Sequence, residues 1–407
     1  MGSNRAAAQD HPNEGLVRTA VLAERLHGLG TTIFAEMSAL ALRTGSINLG
    51  QGFPDTDGPA AIADAAARAI REGRGNQYPP GAGIPELRQA VADHQRDWYG
   101  LDPDPETGVL ITAGATEAIT SALLALVNPG DEVIAFEPYY DSYAACIAMA
   151  GGVRVPATLL APTAQQPRWR PDLGALAARI TARTRVLLVN SPHNPTGMVL
   201  TGDELRALAA LAVKHDLLVI TDEVYEHLVF EGVHTPLATL PGMRERTVTI
   251  SSAGKTYSFT GWKIGWVTGS PELVAAVRTA KQFLTYVSGG PFQYAIAEAL
   301  RLPPGYYART REELRGRRDL LASGLSELGF GVSATEGTYF ITADIRPLGE
   351  SDGLAFCRAL PARCGVVAIP NAVFYDDQSA GAPYVRFTFC KKPEVLEEAL
   401  RRLSAPR

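Results

Sequence analysis

Short apolar runs alternate with helix-like stretches between about residue 105 and residue 270, and this alternation constrains the fold more than any other feature of the chain. The runs are continuous in Val, Ile and Leu, which is typical of parallel strands that are buried on both faces. We therefore expect an α/β fold in which helices cover a mostly parallel sheet. The runs are VLIT (109–112), EVIAF (132–136), VRVPA (153–157), RVLLVN (185–190), LLVIT (217–221), TVTIS (247–251) and IGWVTG (264–269).

The sequence changes character towards its end. Between the apolar runs, ELRALAALAVKHD (204–216) has an apolar face at helical spacing and follows the helix-start residues Thr201 and Asp203. After about residue 300 come an Arg/Glu-rich helix (309–328), a strand pair near GTYFITADI and VRFTF, and a closing helix, EVLEEALRRL. These later elements predict a second, smaller α+β domain.

The length of 407 residues exceeds what one core normally organises, so we expect two domains of unequal size. We predict a flexible N-terminal arm (1–30), an N-terminal segment that joins the small domain (31–60), a large domain (61–295) and a small C-terminal domain (296–407).

Composition excludes several function classes. The net charge is −5 and no basic run is present, so we expect no nucleic-acid partner. The four cysteines form no CxxC pair and no regular spacing, which predicts no metal site and reduced thiols in a cytoplasmic protein. The first fifteen residues lack the apolar core of a signal peptide, and no apolar run has the length of a membrane span. We therefore expect no membrane association.

Polar side chains follow three of the predicted strands. RVLLVN leads into Asn194, LLVIT into Asp222 and Tyr225, and TVTIS into Lys255. Ligands of open parallel sheets bind beyond the carboxyl ends of the strands. An amide, a carboxylate, a phenol and an amine should therefore meet at one edge of the sheet.

Three interpretations of Lys255 compete. Gly254-Lys255-Thr256 could end a P-loop, but that motif requires a glycine where Thr249 stands. Ser252-x-x-Lys255 matches the SxxK motif of penicillin-binding serine hydrolases, yet the chain contains neither a KTG nor an SDN-like triplet. In the third interpretation Lys255 is an imine-forming lysine, whose amine needs a lowered pKa and for which Lys263 supplies a neighbouring cation.

The groups around Lys255 have functional and structural interpretations. Asp222 could cap a helix or pair with a protonated pyridine nitrogen, a partner that would offset its burial. The turn Ala113–Thr116 opens a helix whose start could bind a phosphate, with Thr116, Ser252 and Lys263 as side-chain contacts. Alternatively, the residues of this turn are small because they pack closely at the start of the helix. Arg386, in an apolar strand, suits a substrate carboxylate or a structural ion pair.

Taken together, these residues resemble the class I aminotransferases of pyridoxal-phosphate fold type I. The resemblance extends from about Ile47 to Leu403, and its motifs occur in the family's order and spacing: INLGQGFPD, NQYPPG, TAGATEA, EPYYDSY, NSPHNPTG, TDEVY, SSAGKTYSFTGWKIGW and YVRFTF. The chain is most similar to the branch that holds kynurenine aminotransferases with cysteine-conjugate lyase activity and certain N-succinyldiaminopimelate aminotransferases. The resemblance implies a seven-stranded sheet in a large pyridoxal-phosphate-binding domain.

The resemblance also implies roles for individual residues. It makes Lys255 the Schiff-base lysine and proton shuttle, Asp222 the partner of the pyridine nitrogen, and Asn194 and Tyr225 the neighbours of the ring oxygen. Tyr140 matches the aromatic residue that stacks on the ring. The remaining matches are Ala115, Thr116, Ser252 and Lys263 in the phosphate cup, Arg386, Asn194 and the backbone of Gly52 at the substrate carboxylate, and Tyr78, which reaches the phosphate from the other subunit of a homodimer with shared sites.

One departure from the family affects substrate choice. Where kynurenine-type enzymes have a histidine, the stretch FLTYVSGG has Val287, so Tyr286 beside it becomes a candidate substrate contact. We expect an aminotransferase that acts on an L-amino acid and a 2-oxo acid, with glutamate and N-succinyl-diaminopimelate as the first candidate pair. A lyase that eliminates β or γ leaving groups, or a carbon-bond-forming enzyme on the same scaffold, is the alternative.

Overall fold

A seven-stranded sheet organises the larger part of the chain in the computed structural model, which describes residues 21–30 and 32–404. Its strand order is β2-β8-β7-β6-β5-β3-β4. The neighbours from β7 to β4 pair in parallel, and β8 is antiparallel to both β7 and β2. The strands of the described chain are β1 (Ile47–Asn48), β2 (Val109–Thr112), β3 (Glu132–Glu137), β4 (Val153–Thr158), β5 (Thr184–Asn190), β6 (Leu218–Asp222), β7 (Thr247–Ser252), β8 (Gly265–Thr268), β9 (Gly331–Val332), β10 (Phe340–Asp344), β11 (Val366–Val367), β12 (Ile369–Pro370) and β13 (Tyr384–Thr388).

The mostly parallel sheet confirms the expected fold class, and the seven apolar runs agree with its seven strands to within a residue or two at each end. Helices pack on both sides of the sheet because its strands are apolar on both faces. The helices of the described ranges are α1 (Ile33–Thr44), α2 (Ala60–Arg71), α3 (Pro85–Tyr99), α4 (Gly114–Leu126), α5 (Asp141–Met149), α6 (Leu173–Arg179), α7 (Gly202–Lys214), α8 (Ala253–Thr256), α9 (Pro271–Lys281), α10 (Gly290–Ala299), α11 (Pro304–Glu327), α12 (Gly353–Cys364), α13 (Gln378–Gly381) and α14 (Pro393–Leu403).

Local signals explain where two of the predicted helices begin. Helix α7 starts two residues earlier than the apolar periodicity indicates, because Thr201 and Glu204 form a reciprocal capping box. Helix α11 begins at Pro304, five residues before the predicted start, since proline is well suited to the first turn of a helix, where its missing N–H costs no hydrogen bond.

The C-terminal part of the chain forms a second sheet of order β12-β13-β10-β9, which packs with α11, α12 and α14 around its own apolar core. Strand β1 pairs in parallel with β11, so the segment around Ile47 lies against this part of the chain. The domain boundaries given above stay predictions. Residues 1–20 of the predicted arm lie outside the described residues, whereas residues 28–30 line the cavity described below.

None of the described helices combines the length and apolar character that crossing a bilayer requires.

Candidate active site

A cavity of about 920 Å³ lies where the carboxyl ends of the sheet strands face the C-terminal part of the chain. Its lining includes eleven of the thirteen predicted site residues: Gly52, Ala115, Thr116, Tyr140, Asn194, Asp222, Tyr225, Ser252, Lys255, Lys263 and Arg386. Its size is in the range that small-molecule sites occupy. The predicted convergence of amide, carboxylate, phenol and amine on one edge of the sheet is therefore observed.

Lys255 extends from the short helix α8, directly after β7. Its Nζ lies 5.8 Å from the ring centroid of Tyr225 and 5.7 Å from that of Tyr339. Burial lowers the pKa of Lys255 to about 8; nearby Cys390 and Asp222 oppose this shift, and Arg386 and Lys263 add to it. An amine with a lowered pKa is more often in its unprotonated, nucleophilic form, as imine formation requires.

Asp222 is the last residue of β6 and is buried. Its Oδ2 accepts a hydrogen bond of 2.6 Å from the Tyr143 hydroxyl, and its Oδ1 accepts a longer one of 3.3 Å from the Val224 amide. Burial raises the pKa of Asp222, against the hydrogen bond from Tyr143 and the positive charge of Lys255. A buried carboxylate in this setting suits a cationic partner inside the cavity.

Tyr143 is a residue that sequence reasoning missed. It lies one helical turn after Tyr140, whose ring it meets edge-on, and its hydroxyl orients Asp222. The third tyrosine of EPYYDSY was the available signal, since residues at positions i and i+3 of a helix share a face.

Arg386 projects from β13 and is 1% exposed. Its Nη1 donates to Asn194 Oδ1 at 2.8 Å and its Nη2 to the Gly50 carbonyl at 2.9 Å. Within the described chain its Nε has no hydrogen-bond partner. The guanidinium lies 3.9 Å above the Phe340 ring, and burial lowers the pKa of Arg386 to about 10. A buried cation that forms no ion pair with any carboxylate of the described residues suits an anionic ligand group.

The start of α4 forms one end of the cavity. Gly114, with a φ of +74°, lets the Lys263 side chain approach closely, because a Cβ at Gly114 would lie 3.3 Å from Lys263 Nζ. Ala115, Thr116 and Ser252 line the same cavity. A helix start, a hydroxyl and an ammonium group are donors that suit a phosphate, so these residues fit the phosphate group of a ligand.

Gly52 must remain small because the aromatic rings of Tyr339 and Phe340 occupy the space beside it. A Cβ there would lie 2.4 Å from Phe340 Cζ, and the Gly52 carbonyl accepts a hydrogen bond of 2.5 Å from the Tyr339 hydroxyl. Phe340 and Tyr339 were not predicted from the sequence.

Tyr78 and Tyr286 are the two predicted site residues that lie outside the cavity lining. Their side chains are exposed, at 82% and 50%, and their rings meet edge-on with centroids 5.6 Å apart.

Comparison with known proteins agrees with this geometry. Residues 44–403 match the family described as aminotransferase class I and II. The chain belongs to this family. Its members use pyridoxal phosphate, so the chain is a pyridoxal-phosphate-dependent aminotransferase of fold type I, which confirms the predicted cofactor and enzyme class.

Individual relatives cover nearly the whole aminotransferase chain. A protein from Mycobacterium tuberculosis named probable N-succinyldiaminopimelate aminotransferase DapC is 54% identical over 389 residues, which are 93% of this chain and 97% of the relative. The solved structure of N-succinyldiaminopimelate aminotransferase from that organism superposes with a TM-score of 0.92, at 54% identity, and covers 94% of this chain and 99% of its own. The methionine aminotransferase of Escherichia coli is 41% identical over 380 residues, again 93% and 97% of the two chains.

The predicted likeness to kynurenine aminotransferases is also confirmed. Kynurenine--oxoglutarate transaminase of Dictyostelium discoideum is 35% identical over 403 residues, with 91% and 93% of the two chains covered. These relatives are named as aminotransferases or transaminases and give no support to the lyase or carbon-bond-forming alternative.

Proposed function

We propose that this aminotransferase moves an amino group between glutamate and the keto form of a long, acidic amino acid, with N-succinyl-diaminopimelate as the first candidate. The observation that carries this proposal is the 54% identity to the Mycobacterium tuberculosis relative across almost the whole of both chains. Val287, in place of the histidine of kynurenine-type enzymes, argues in the same direction.

The cavity residues have the chemistry to hold pyridoxal phosphate. Lys255 would bind it covalently, and the start of α4 with Ser252 and Lys263 would hold its phosphate. Tyr140 would stack on the ring, and Asn194 and Tyr225 would contact the ring oxygen. When bound, the cofactor withdraws electrons from the carbon that carries the amino group, so that its hydrogen can leave as a proton.

Two side chains would manage the protons of this reaction. Nζ of Lys255, whose pKa is lowered to about 8, would take the proton from the substrate α-carbon as a general base and later return it. The carboxylate of Asp222 would hold a proton on the ring nitrogen, and Tyr143 would keep that carboxylate oriented. In this arrangement the protein supplies orientation and electrostatics.

Arg386 would bind the α-carboxylate of each substrate in turn. Its guanidinium forms a planar fork, its Nε is unpaired among the described residues, and Asn194 and the Gly52 backbone lie in the same cavity. Because both substrates carry an α-carboxylate, one arginine can serve both halves of the cycle.

We also propose a homodimer with shared active sites. Tyr78 and Tyr286 are exposed aromatic side chains outside the cavity of their own chain, and Phe283, three residues before Tyr286, is 82% exposed. A second copy that packed on this surface would bury these rings and bring them to its own cavity.

We further propose the domain division given above and a cytoplasmic location, which suits the four free thiols.

Transfer from methionine is a second candidate. Phe34, Phe53 and Val373 give the cavity an apolar wall, and among the described lining residues the cations are Lys255, Lys263 and Arg386. An apolar side chain would fit this wall without a further cation, and the Escherichia coli relative is named for methionine.

The test follows cofactor and products separately. The enzyme loaded with pyridoxal phosphate is mixed with glutamate, methionine, kynurenine or the succinylated amino acid, and both the visible spectrum and the released oxo acid are measured. We expect conversion of the cofactor to its amine form with 2-oxoglutarate release from glutamate, and fastest turnover with the succinylated substrate. Faster turnover of methionine would replace the first candidate by the second. Release of ammonia without amino transfer would contradict both.

A further inference from the structure

A buried lysine makes hydrogen bonds to the two loops that carry the exposed tyrosines Tyr78 and Tyr286. Lys281 is the last residue of α9 and is 2% exposed. Its Nζ donates a hydrogen bond of 3.2 Å to the carbonyl of Gly81 and a second one to the carbonyl of Tyr286. One amine therefore joins the loop that carries Tyr78 to the loop that carries Tyr286.

The backbone at this point is unusual. Tyr286 has a φ of +64°, a left-handed conformation that residues with a side chain rarely adopt and that its surroundings must stabilise. Its ring lies close to Gly81, where an added Cβ would be 3.9 Å from Cε2 of Tyr286. The Lys281 hydrogen bond to the Tyr286 carbonyl thus acts on the residue that has this unusual backbone conformation.

A second contact connects the same loop to the start of α4. Glu117 accepts a hydrogen bond of 2.6 Å from the Ala113 amide at the start of α4 through Oε2, and its Oε1 accepts one from the Thr285 hydroxyl. The loop before Tyr286 is therefore connected on one side to Lys281 and on the other to the helix start proposed to hold the phosphate.

Burial of the Lys281 amine costs free energy of desolvation, which its two hydrogen bonds must offset. Burial lowers the pKa of its amine, and the carboxylate of Glu117 opposes this shift. Both the charged and the neutral amine carry enough N–H groups to donate to two carbonyls. A fully apolar side chain would avoid the desolvation cost but would leave both carbonyls without this donor.

We propose that Lys281 is a positioning residue that acts in trans: it fixes Tyr78 and Tyr286 in the geometry with which they enter the active site of the partner subunit. This inference rests on the homodimer with shared sites proposed above. It extends that proposal by assigning the control of substrate binding in one subunit to a buried amine of the other.

The first experiment compares Lys281→Met with Lys214→Met as purified, cofactor-loaded proteins. Lys214 is exposed at the end of α7, so its replacement removes the same charge without a buried contact. We expect Lys281→Met to raise KM for the amino donor at least about tenfold, since a displacement of about 1 Å at a site can cost up to about 10²-fold. The control should keep its wild-type KM. An unchanged KM in Lys281→Met would overturn the proposal.

The second experiment distinguishes positioning from general damage to the fold. Lys281→Met and Lys255→Ala subunits carrying different affinity tags are co-expressed, and the hybrid dimer is isolated by both tags. Its one site with Lys255 belongs to the Lys281→Met chain and receives tyrosines from the chain with an intact Lys281. We expect this site to have a wild-type KM. A KM as high as in the Lys281→Met homodimer would show that Lys281 acts within its own chain and would overturn the proposal.

The outcomes separate this inference from the proposed function. The KM comparison uses whichever amino donor the enzyme turns over best, so it does not depend on the succinylated substrate. Wild-type enzyme that sediments as an active monomer would overturn the trans role and the homodimer together, and it would leave the aminotransferase activity untouched.

Discussion

Two buried polar clusters adjoin each other after β6, and consecutive residues belong to different ones. Tyr225 faces the cavity with Asp222, Lys255 and Arg386, which we call the cavity cluster. The next residue, Glu226, belongs to a rear cluster with His94, Tyr99, His227 and Ser251.

Most polar atoms of the rear cluster are paired within it, and His94 Nδ1 is the exception that the described residues leave without a partner. Glu226 accepts hydrogen bonds from the Ser251 hydroxyl at 2.5 Å and the Tyr99 hydroxyl at 2.6 Å. The Nε2 atoms of His94 and His227 are 2.7 Å apart. Ligand atoms of the two histidines and Glu226 lie within 4.8 Å of one another, a spacing that a metal ion could use, but both carboxylate oxygens already accept hydroxyl donors.

The cavity cluster is arranged differently. Lys255 Nζ has aromatic rings around it, and Arg386 retains an Nε that is unpaired in the described part of the chain. Both groups have lowered pKa values because burial disfavours their charged forms. Burial alone therefore does not mark a reactive group: the Glu226 carboxylate uses both of its oxygens within the protein, whereas Arg386 retains an unpaired donor that faces the cavity. Substitutions in the two clusters should therefore affect different properties.

The largest expected effect on turnover comes from Lys255→Ala. Removal of the only amine proposed to act as base should lower kcat at least about 10⁴-fold, the upper range for general acid–base catalysis, with little change in thermal stability. Turnover is measured with the best amino donor, and borohydride reduction followed by peptide mapping locates the lysine that bears the cofactor. A label on a different lysine would contradict the assignment.

Asp222→Asn should have the next largest effect. The amide keeps the size of the carboxylate but loses its charge, so kcat should fall about 10²- to 10³-fold, as for other preorganised electrostatic groups. Cofactor affinity, measured by titration of the apoenzyme, should change less than turnover. Near wild-type turnover would show that the ring nitrogen does not depend on Asp222.

Arg386→Lys should act mainly on substrate binding. Lysine keeps the charge but cannot reproduce the planar fork, and a hydrogen bond to a charged group contributes about 1.5–3 kcal/mol, so KM should rise about 10- to 100-fold. Steady-state kinetics with varied glutamate and varied 2-oxo acid tests this. An effect on one substrate only would show that the two acids use different carboxylate sites.

Glu226→Gln should lower the stability of the protein more than its turnover, in contrast to the three substitutions above. Its amide would point an N–H group at one of two hydroxyl donors, and the lost interaction should lower the free energy of unfolding by about 1–3 kcal/mol. Since Glu226 is outside the cavity lining, kcat should change less than about threefold, which corresponds to under about 1 kcal/mol. Urea unfolding and kinetics are compared in the same preparation. A large loss of kcat with unchanged stability would remove the distinction between the clusters.

The rear cluster should also make stability depend on pH without changing turnover at neutral pH. Burial lowers the pKa of His227 from 6.5 to about 3, while Glu226 opposes this shift and His94 adds to it. Between these values the unfolded chain binds a proton that the folded chain does not, so stability falls as pH decreases from about 6.5 towards 3. The urea midpoint of His227→Asn should decrease less over this range than that of the wild type. An equal decrease would contradict the assignment.

The sequence by itself determined the sheet and the main site residues. Continuous apolar runs predict buried parallel strands, and the residues directly after them, Asn194, Asp222 and Lys255, must then lie at one edge of the sheet. The cofactor was predictable for the same reason, because the lysine, the carboxylate and the helix start that are proposed to hold it are each encoded next to a strand. Such features depend on neighbours in the sequence.

Only the tertiary structure decided the contacts between distant segments. Tyr143 reaches Asp222 across 79 positions, Arg386 meets Asn194 across 192, and His94 meets His227 across 133. The same holds for Lys281, whose amine joins two loops that are about 200 positions apart. These pairings follow from how helices and strands pack, and packing depends on the shapes of all the side chains in the core and not on any local pattern. For that reason a single sequence indicates the chemistry of the site but not the residues that orient it.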